Sequence, residues 1–159
     1  MATTNARYVI IFVLGLPILI AALVFGPSAL DLLISRRPPE RYIVPAGYTG
    51  WVRIDFRQPT APPFPIENGR RVLKLDAHGA LQTSDGPRAG HARDEFFADA
   101  GTGLQRLSNA GVCKGGMIWG LETMVDTKTG RPFTRFFVGT EDQYRHEVDP
   151  TGKNSPACE

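Results

Sequence analysis

The chain has 159 residues, with 18 lysines and arginines against 16 aspartates and glutamates. Three of the basic residues (Arg7, Arg36, Arg37) and one acidic residue (Asp31) precede residue 38, which leaves fifteen charges of each sign in residues 38–159. This part of the chain is neutral and has no basic patch, which excludes nucleic-acid binding.

Residues 8–26 are nineteen consecutive residues without a charge. A helix of this length is about 28 Å long, close to the ~30 Å hydrocarbon core of a bilayer. Its apolar residues leave no polar stripe, unlike a core helix of a soluble protein. A cleaved export signal has a shorter apolar region of about 7–15 residues before a small-x-small site, and residues 27–29 (Pro-Ser-Ala) fit such a site poorly. We therefore predict a tail at 1–7 and a transmembrane anchor with an interfacial extension at 8–34, contacting membrane lipid through residues 8–26.

The charges on the two sides of the span disagree with the orientation that we favour. Arg7 precedes the span, whereas Arg36, Arg37 and Arg41 follow it, and this count alone would keep the C-terminal domain in the cytoplasm. The rule weakens for translocated segments longer than ~60 residues. We predict a single-pass inner-membrane or plasma-membrane protein whose domain is periplasmic or extracellular; a cytoplasm-facing membrane-tethered adaptor is an alternative. No cysteine stands near the end of the span, which excludes a lipid-modified N-terminus.

A proline-rich linker at 35–41 separates the anchor from a β-rich domain at 42–148, and a polar tail follows at 149–159. In residues 50–57 (GWVRIDFR), apolar and charged residues alternate with the period of a half-buried strand. Similar patterns predict further strands at 71–75, 80–84, 95–97, 104–107, 117–125 and 133–138.

The links between these strands predict turns and one helix. Residues 76–79 are predicted to join the strands on either side into a hairpin, and residues 98–103 form another Gly-rich turn. The strands at 117–125 and 133–138 are predicted to pair antiparallel. Thr140 and Gln143 have capping-box spacing, which predicts a short helix over 141–147. The expected fold is mainly β: an antiparallel β-sandwich or small barrel with one short helix, after an N-terminal transmembrane helix.

Five short sequence blocks occur in the same order as in one protein family. They are Pro45-x-Gly47-x-x-Gly50-Trp51-Val52, APPFPIENG (61–69), Gly79-x-Leu81-x-Thr83-Ser84, Ile118-Trp119-Gly120 and FFVGTEDQY (136–144). Over residues 41–145 the chain resembles a bacterial family of uncharacterised envelope domains, carried behind a lipoprotein signal or a single membrane anchor. The family has no established activity. The resemblance implies an envelope location and supports the outward orientation.

The sequence contains few candidates for catalytic residues. His91, Asp94 and Glu95 lie in a Gly/Pro-rich loop and could form an extracytoplasmic metal-dependent or acid–base site, but solvated loop residues are the simpler interpretation. No nucleophile motif is present, and we predict no catalytic residue, resident metal or cofactor.

A binding role has more support than catalysis. Trp51 is expected on the outward face of its strand, and Pro62, Pro63 and Phe64 form a stiff segment that either covers a sheet edge or presents an apolar ridge. These four residues are the predicted contact with an envelope protein or a glycan. Cys113 and Cys158 form a disulfide or remain free thiols.

Overall fold

The structure is a computed structural model that describes residues 36–151. The predicted span at 8–26, the tail at 1–7 and most of the tail at 149–159 lie outside the described residues. Within residues 36–151, no helix is both long and apolar enough to cross a membrane.

Two compact units divide the chain. Among the described residues, the first comprises residues 36–37 with 89–91, and the second comprises residues 38–88 with 92–151. In the described part of the first unit, Arg36 and His91 form an isolated parallel bridge, and the Arg37 amide donates to the His91 carbonyl at 3.1 Å. The second unit contains the regular elements and the core.

Nine strands and one helix make up the described part of the second unit. In chain order they are β1 (Arg41–Pro45), β2 (Gly50–Asp55), β3 (Ile66–Glu67), β4 (Arg70–Lys74), β5 (Ala80–Gln82), β6 (Glu95–Asp99), β7 (Leu104–Leu107), β8 (Ile118–Val125), β9 (Pro132–Val138) and α1 (Glu141–Val148). The strands form a five-stranded sheet, in the order β3-β4-β1-β6-β7, and a four-stranded sheet, in the order β5-β2-β9-β8.

The two sheets bury one face each against the other. Alternate residues of β2, Val52 and Ile54, are fully buried, as the period-two pattern predicts. The Phe136 ring of β9 meets Tyr42 of β1 edge-on at 5.6 Å and Phe96 of β6 at 5.5 Å. Aromatic contacts of this kind add to the burial of apolar surface, so this cluster joins the sheets.

Both sheets are mixed rather than purely antiparallel, and they do not close into a barrel. β1 runs parallel to β4 and to β6, and β2 runs parallel to β5. The sequence prediction missed β1, which begins at Arg41 inside the predicted linker, and it also missed the two-residue β3. Missing β1, which is central in its sheet, hid the two parallel pairs that it makes, whereas the third parallel pair, β2–β5, does not involve it.

The predicted hairpin across residues 76–79 is also wrong. The turn itself forms, with the Gly79 amide donating to the Asp76 carbonyl at 3.1 Å, but β4 and β5 on its two sides belong to different sheets. The predicted antiparallel pair β8–β9 is confirmed, and β6 and β7 also pair antiparallel across the Gly-rich turn between them. The helix is confirmed as well, and Thr140 and Gln143 form the predicted capping box.

Candidate functional site

The outer face of the four-stranded sheet is the most distinctive polar surface of the described chain. Trp51 and Arg53 of β2 alternate with buried residues and point away from the core. In the antiparallel pairing with β9, Arg53 lies directly opposite Arg135, and Trp51 lies opposite Phe137. Two like charges opposed across a strand pair repel each other, so this arrangement requires compensating contacts.

Aromatic rings provide one set of compensating contacts. The guanidinium carbon of Arg53 lies 4.0 Å from the centre of the Phe133 ring, and that of Arg135 lies 5.3 Å from the Trp51 ring. Both distances fall within the ~6 Å range of favourable cation–π contacts. We call Trp51, Arg53, Phe133 and Arg135 the arginine shelf.

Carboxylates provide the second set. Arg135 Nε donates to Glu122 Oε1 at 2.5 Å, and Arg53 donates to Asp55 Oδ1 at 2.9 Å and Asp126 Oδ2 at 3.3 Å. Two guanidinium groups thus meet three carboxylates. The resulting cluster carries both signs of charge and a small negative excess.

The local loop holds Asp126 in its charged form. The amides of Thr129 and Lys128 donate to its Oδ1 atom at 3.1 and 2.9 Å, and these two hydrogen bonds are the main cause of the lowered pKa of Asp126. Its other oxygen faces Arg53. The hydrogen bond from Arg53 to Asp55 is the main cause of the raised pKa of Arg53. Both groups are therefore charged at neutral pH.

Helix α1 covers one end of this face through Tyr144. Its ring stacks on Trp119 at 5.6 Å and 12°, and it also contacts Phe137 at 5.7 Å and Trp51 at 6.2 Å. The remaining part of the face is open: the side chains of Arg53 and Arg135 are 47% and 46% exposed. A shallow depression of about 250 Å³ lies there, lined by the arginine shelf and Val52.

The proline-rich segment is not a continuous apolar ridge. Phe64 is 7% exposed and packs against Phe56, with ring centres 6.0 Å apart, so its ring belongs to the core and is not presented to a partner. The carbonyl of Pro62 accepts hydrogen bonds from the hydroxyl of Thr83 and, at 3.3 Å, from the amide of Ser84. Pro62 and Pro63 are exposed. The sequence left open whether this segment covers a sheet edge or presents a ridge, because it does not show which side of an irregular segment faces the core.

The residues of the alternative enzyme loop do not all belong to one unit. His91 belongs to the first unit, whereas Asp94 and Glu95 belong to the second. Asp94 accepts a hydrogen bond from the Glu40 amide at 2.9 Å, and Glu95 accepts one from Arg70 at 2.6 Å. Asp94 thus fixes the backbone just before β1, and Glu95 pairs with Arg70 of β4. Across residues 36–151, no group of three or more His, Cys, Asp or Glu side chains is arranged to hold a metal ion.

Cys113 lies in the loop before β8 with a positive φ of 58° and is disulfide-bonded. Its amide donates to Glu141 Oε2 at 2.6 Å, which links this loop to the first turn of α1. The other cysteine of the chain, Cys158, lies outside the described residues, so the predicted Cys113–Cys158 pair remains a prediction.

Comparison with known proteins agrees with the predicted resemblance. Residues 36–112 match the model of a family of unknown function, DUF6843. The DUF6843 match thus confirms the resemblance to an uncharacterised family, although it does not distinguish the individual sequence blocks. It includes β1 to β7 and the β2 half of the arginine shelf, and it ends before β8 and β9.

A solved structure shares the fold. A crystal structure from Bacillus anthracis, described as a "Putative Lipoprotein", superimposes with a TM-score of 0.51 and 18% sequence identity, covering 76% of this chain and 82% of that one. At this identity the likeness concerns the fold. No curated protein matches the sequence significantly.

The sequence prediction identified Trp51 but did not identify Arg53, Phe133 and Arg135 as parts of one site. Two signals were available: Arg53 alternates with core residues in GWVRIDFR, and Arg135 does so in FTRFFV. Neither signal shows that the two strands are neighbours. The register of β2 against β9 supplies that information.

Proposed function

We propose that this protein is a membrane-anchored envelope domain that binds an extracytoplasmic partner through the arginine shelf. Residues 8–26 are the anchor, and the β domain faces the periplasm or the cell exterior. The disulfide-bonded state of Cys113 supports this side of the membrane, since disulfides persist in oxidising compartments. The likeness in fold to the Bacillus anthracis protein is consistent with an envelope role.

One observation carries the binding proposal: the arginines of the shelf are held in fixed positions and yet remain about half exposed. Each guanidinium lies over a ring and pairs with at least one carboxylate. Because the side chains are already ordered, a ligand would lose less conformational entropy on binding to them. Arginine and tryptophan are also the residue types that most often dominate binding energies.

The chemistry of the shelf favours binding over acid–base catalysis. A general acid or base works best when its pKa lies near the operating pH. The pKa of Asp126 is lowered and that of Arg53 is raised, so both shift away from neutrality. These groups hold their charges constant and are suited to recognising polar groups.

A photo-crosslinking experiment tests the binding surface. In the full-length chain, a benzophenone amino acid replaces Met124, which lies opposite Phe133 in the β8–β9 pairing and leaves the four shelf residues in place. A matched variant carries it at Lys74, which is 68% exposed on the five-stranded sheet. Irradiation of intact cells should produce adducts from position 124 that position 74 does not produce. Identical adducts from both positions, or none from position 124, would contradict the proposal.

A reporter fusion tests the side of the membrane. Alkaline phosphatase folds only outside the cytoplasm, and we expect it to be active when fused after Glu159. The matched control lacks residues 8–26 and should be inactive. Inactive phosphatase together with an active cytoplasmic reporter at the same position would establish the cytoplasm-facing adaptor instead.

A further inference from the structure

We infer that the ligand of the arginine shelf is a neutral, polyhydroxylated glycan chain. This inference rests on the proposed binding function and specifies its ligand class. It follows from the mixture of polar groups around the shelf, from their charge balance and from the small apolar area that the shelf exposes.

The groups around the shelf match the hydrogen bonding of sugar hydroxyls. Arg53 and Arg135 present N–H donors, and Asp55, Asp126 and Glu122 present carboxylate acceptors beside them. A guanidinium has donors but no acceptor, and an ionised carboxylate has acceptors but no donor. A hydroxyl group both donates and accepts, so neighbouring hydroxyls on one ring can satisfy both kinds of group at once.

The charge balance argues against an anionic ligand. Each shelf arginine is already paired with a carboxylate, and Arg53 has two such partners. The three carboxylates outnumber the two arginines, so the field at this surface does not attract a polyanion. A neutral glycan is not repelled by these carboxylates.

The exposed apolar area is too small for a typical protein interface. Trp51 is half-buried and Phe133 is 9% exposed, and the three carboxylates beside them belong to residue types that are depleted in protein interfaces. The large exposed hydrophobic side chains of the described residues are not shelf residues. They are Ile66, Leu104, Val112, Leu121, Val125 and Val148.

The size of the depression sets the expected mode of binding. Its volume of about 250 Å³ is below the ~300 Å³ at which pockets for drug-sized ligands begin. It therefore holds one ring of a glycan chain beside the half-buried Trp51. One ring in an open site gives weak binding, with a Kd on the order of 1 mM.

The test uses the full-length protein in lipid nanodiscs, because sugar-headed detergents would compete for the site. Chitohexaose is the neutral probe, and a hyaluronan hexasaccharide is the matched anionic probe. Saturation-transfer NMR should detect chitohexaose binding, and Arg53→Ala and Arg135→Ala should each weaken it roughly tenfold, as expected for the loss of one charge-assisted hydrogen bond.

Two further variants separate recognition from folding. Arg135→Lys keeps the charge but loses the planar fork, and it should also weaken binding roughly tenfold while the near-UV circular dichroism stays unchanged. Lys74→Ala, on the other sheet, should bind chitohexaose as the native protein does.

The outcomes distinguish the ligand class from the binding function. Tighter binding of hyaluronan than of chitohexaose would overturn the neutral-glycan inference. Absence of glycan binding together with protein adducts from position 124 would overturn it while leaving the binding face intact. Absence of both would overturn the inference and the proposed function together.

Discussion

The hydroxyl oxygen of Tyr48 occupies the space in which a side chain at Gly79 would begin: a Cβ atom at Gly79 would lie 2.0 Å from it. This hydroxyl donates to the Trp51 carbonyl at 2.6 Å, and the His78 carbonyl oxygen lies 3.1 Å away. The pKa of Tyr48 is raised, first by burial and then by Asp76. Tyr48 therefore packs the turn between the two sheets against the start of β2.

This contact predicts an unequal effect of alanine at two glycines with similar backbones. Gly79 has a φ of 73° and Gly130 a φ of 67°, but a Cβ atom at Gly130 would meet nothing within 4 Å. Gly130→Ala should lower the free energy of unfolding by about 1 kcal/mol, from backbone strain alone. Gly79→Ala should lower it by about 3 kcal/mol because Tyr48 must also move. Urea denaturation of both variants measures the difference.

A Tyr48→Ala background serves as the control for the steric explanation. With the ring absent, Gly79→Ala should cost about as much as Gly130→Ala, or roughly 1 kcal/mol. An undiminished cost in this background would show that Tyr48 is not the cause.

The buried ion pair of Glu40 and Arg71 predicts a large loss of stability when it is broken. Glu40 is 5% exposed, lies 3.6 Å from Arg71 and accepts a hydrogen bond from the Tyr42 hydroxyl at 3.2 Å. Glu40→Ala should lower the free energy of unfolding by about 3 kcal/mol because the largely buried Arg71 side chain loses its nearer carboxylate and keeps Asp85 at 3.9 Å and the Gly86 carbonyl. The exposed pair Lys74–Asp99 provides the comparison, and Asp99→Ala should cost far less because an exposed ion pair contributes little to stability. Equal losses in the two variants would contradict this prediction.

The contact between Glu141 and the Cys113 loop should weaken in acid. The pKa of Glu141 is lowered from 4.5, first by the Cys113 amide and then by Arg145. Because the folded-state value lies below the unfolded one, the stabilisation is fully present above about pH 4.5 and is lost as the pH falls through the folded-state pKa. Amide exchange at Cys113, measured by NMR and corrected for intrinsic rates, should rise in that window.

Glu141→Gln separates ionisation from the hydrogen bond itself. The glutamine oxygen can still accept from the Cys113 amide, but it does not titrate, so the corrected exchange at Cys113 should no longer depend on pH between 3 and 6. The same pH response in this variant would assign the effect to another group.

The uncharged stretch at 8–26 predicts hydrophobic attachment to the membrane. Full-length protein should remain in the membrane fraction after washing with high salt and with alkaline carbonate, since neither removes a transmembrane helix. Immunoblots of the pellet and the supernatant measure this. A soluble mature form whose N-terminus lies near Leu30 would instead indicate a cleaved signal.

Local patterns in the sequence were sufficient for most of the elements. The alternation in GWVRIDFR identified β2 and assigned Val52 and Ile54 to the core, because the side chains of a strand point to its two faces in turn. The Thr140–Gln143 spacing identified the start of α1, because a capping box is satisfied by residues within one helical turn.

The partners of the strands were decided by tertiary structure. Period-two alternation indicates which face of a strand is buried but not which strand lies beside it, so β4 and β5 were wrongly joined into one hairpin. The same limit hid the arginine shelf, since Arg53 and Arg135 are distant in sequence and meet only through the β2–β9 register. Phe64 is likewise buried only because residues of both sheets come together around it in the folded core.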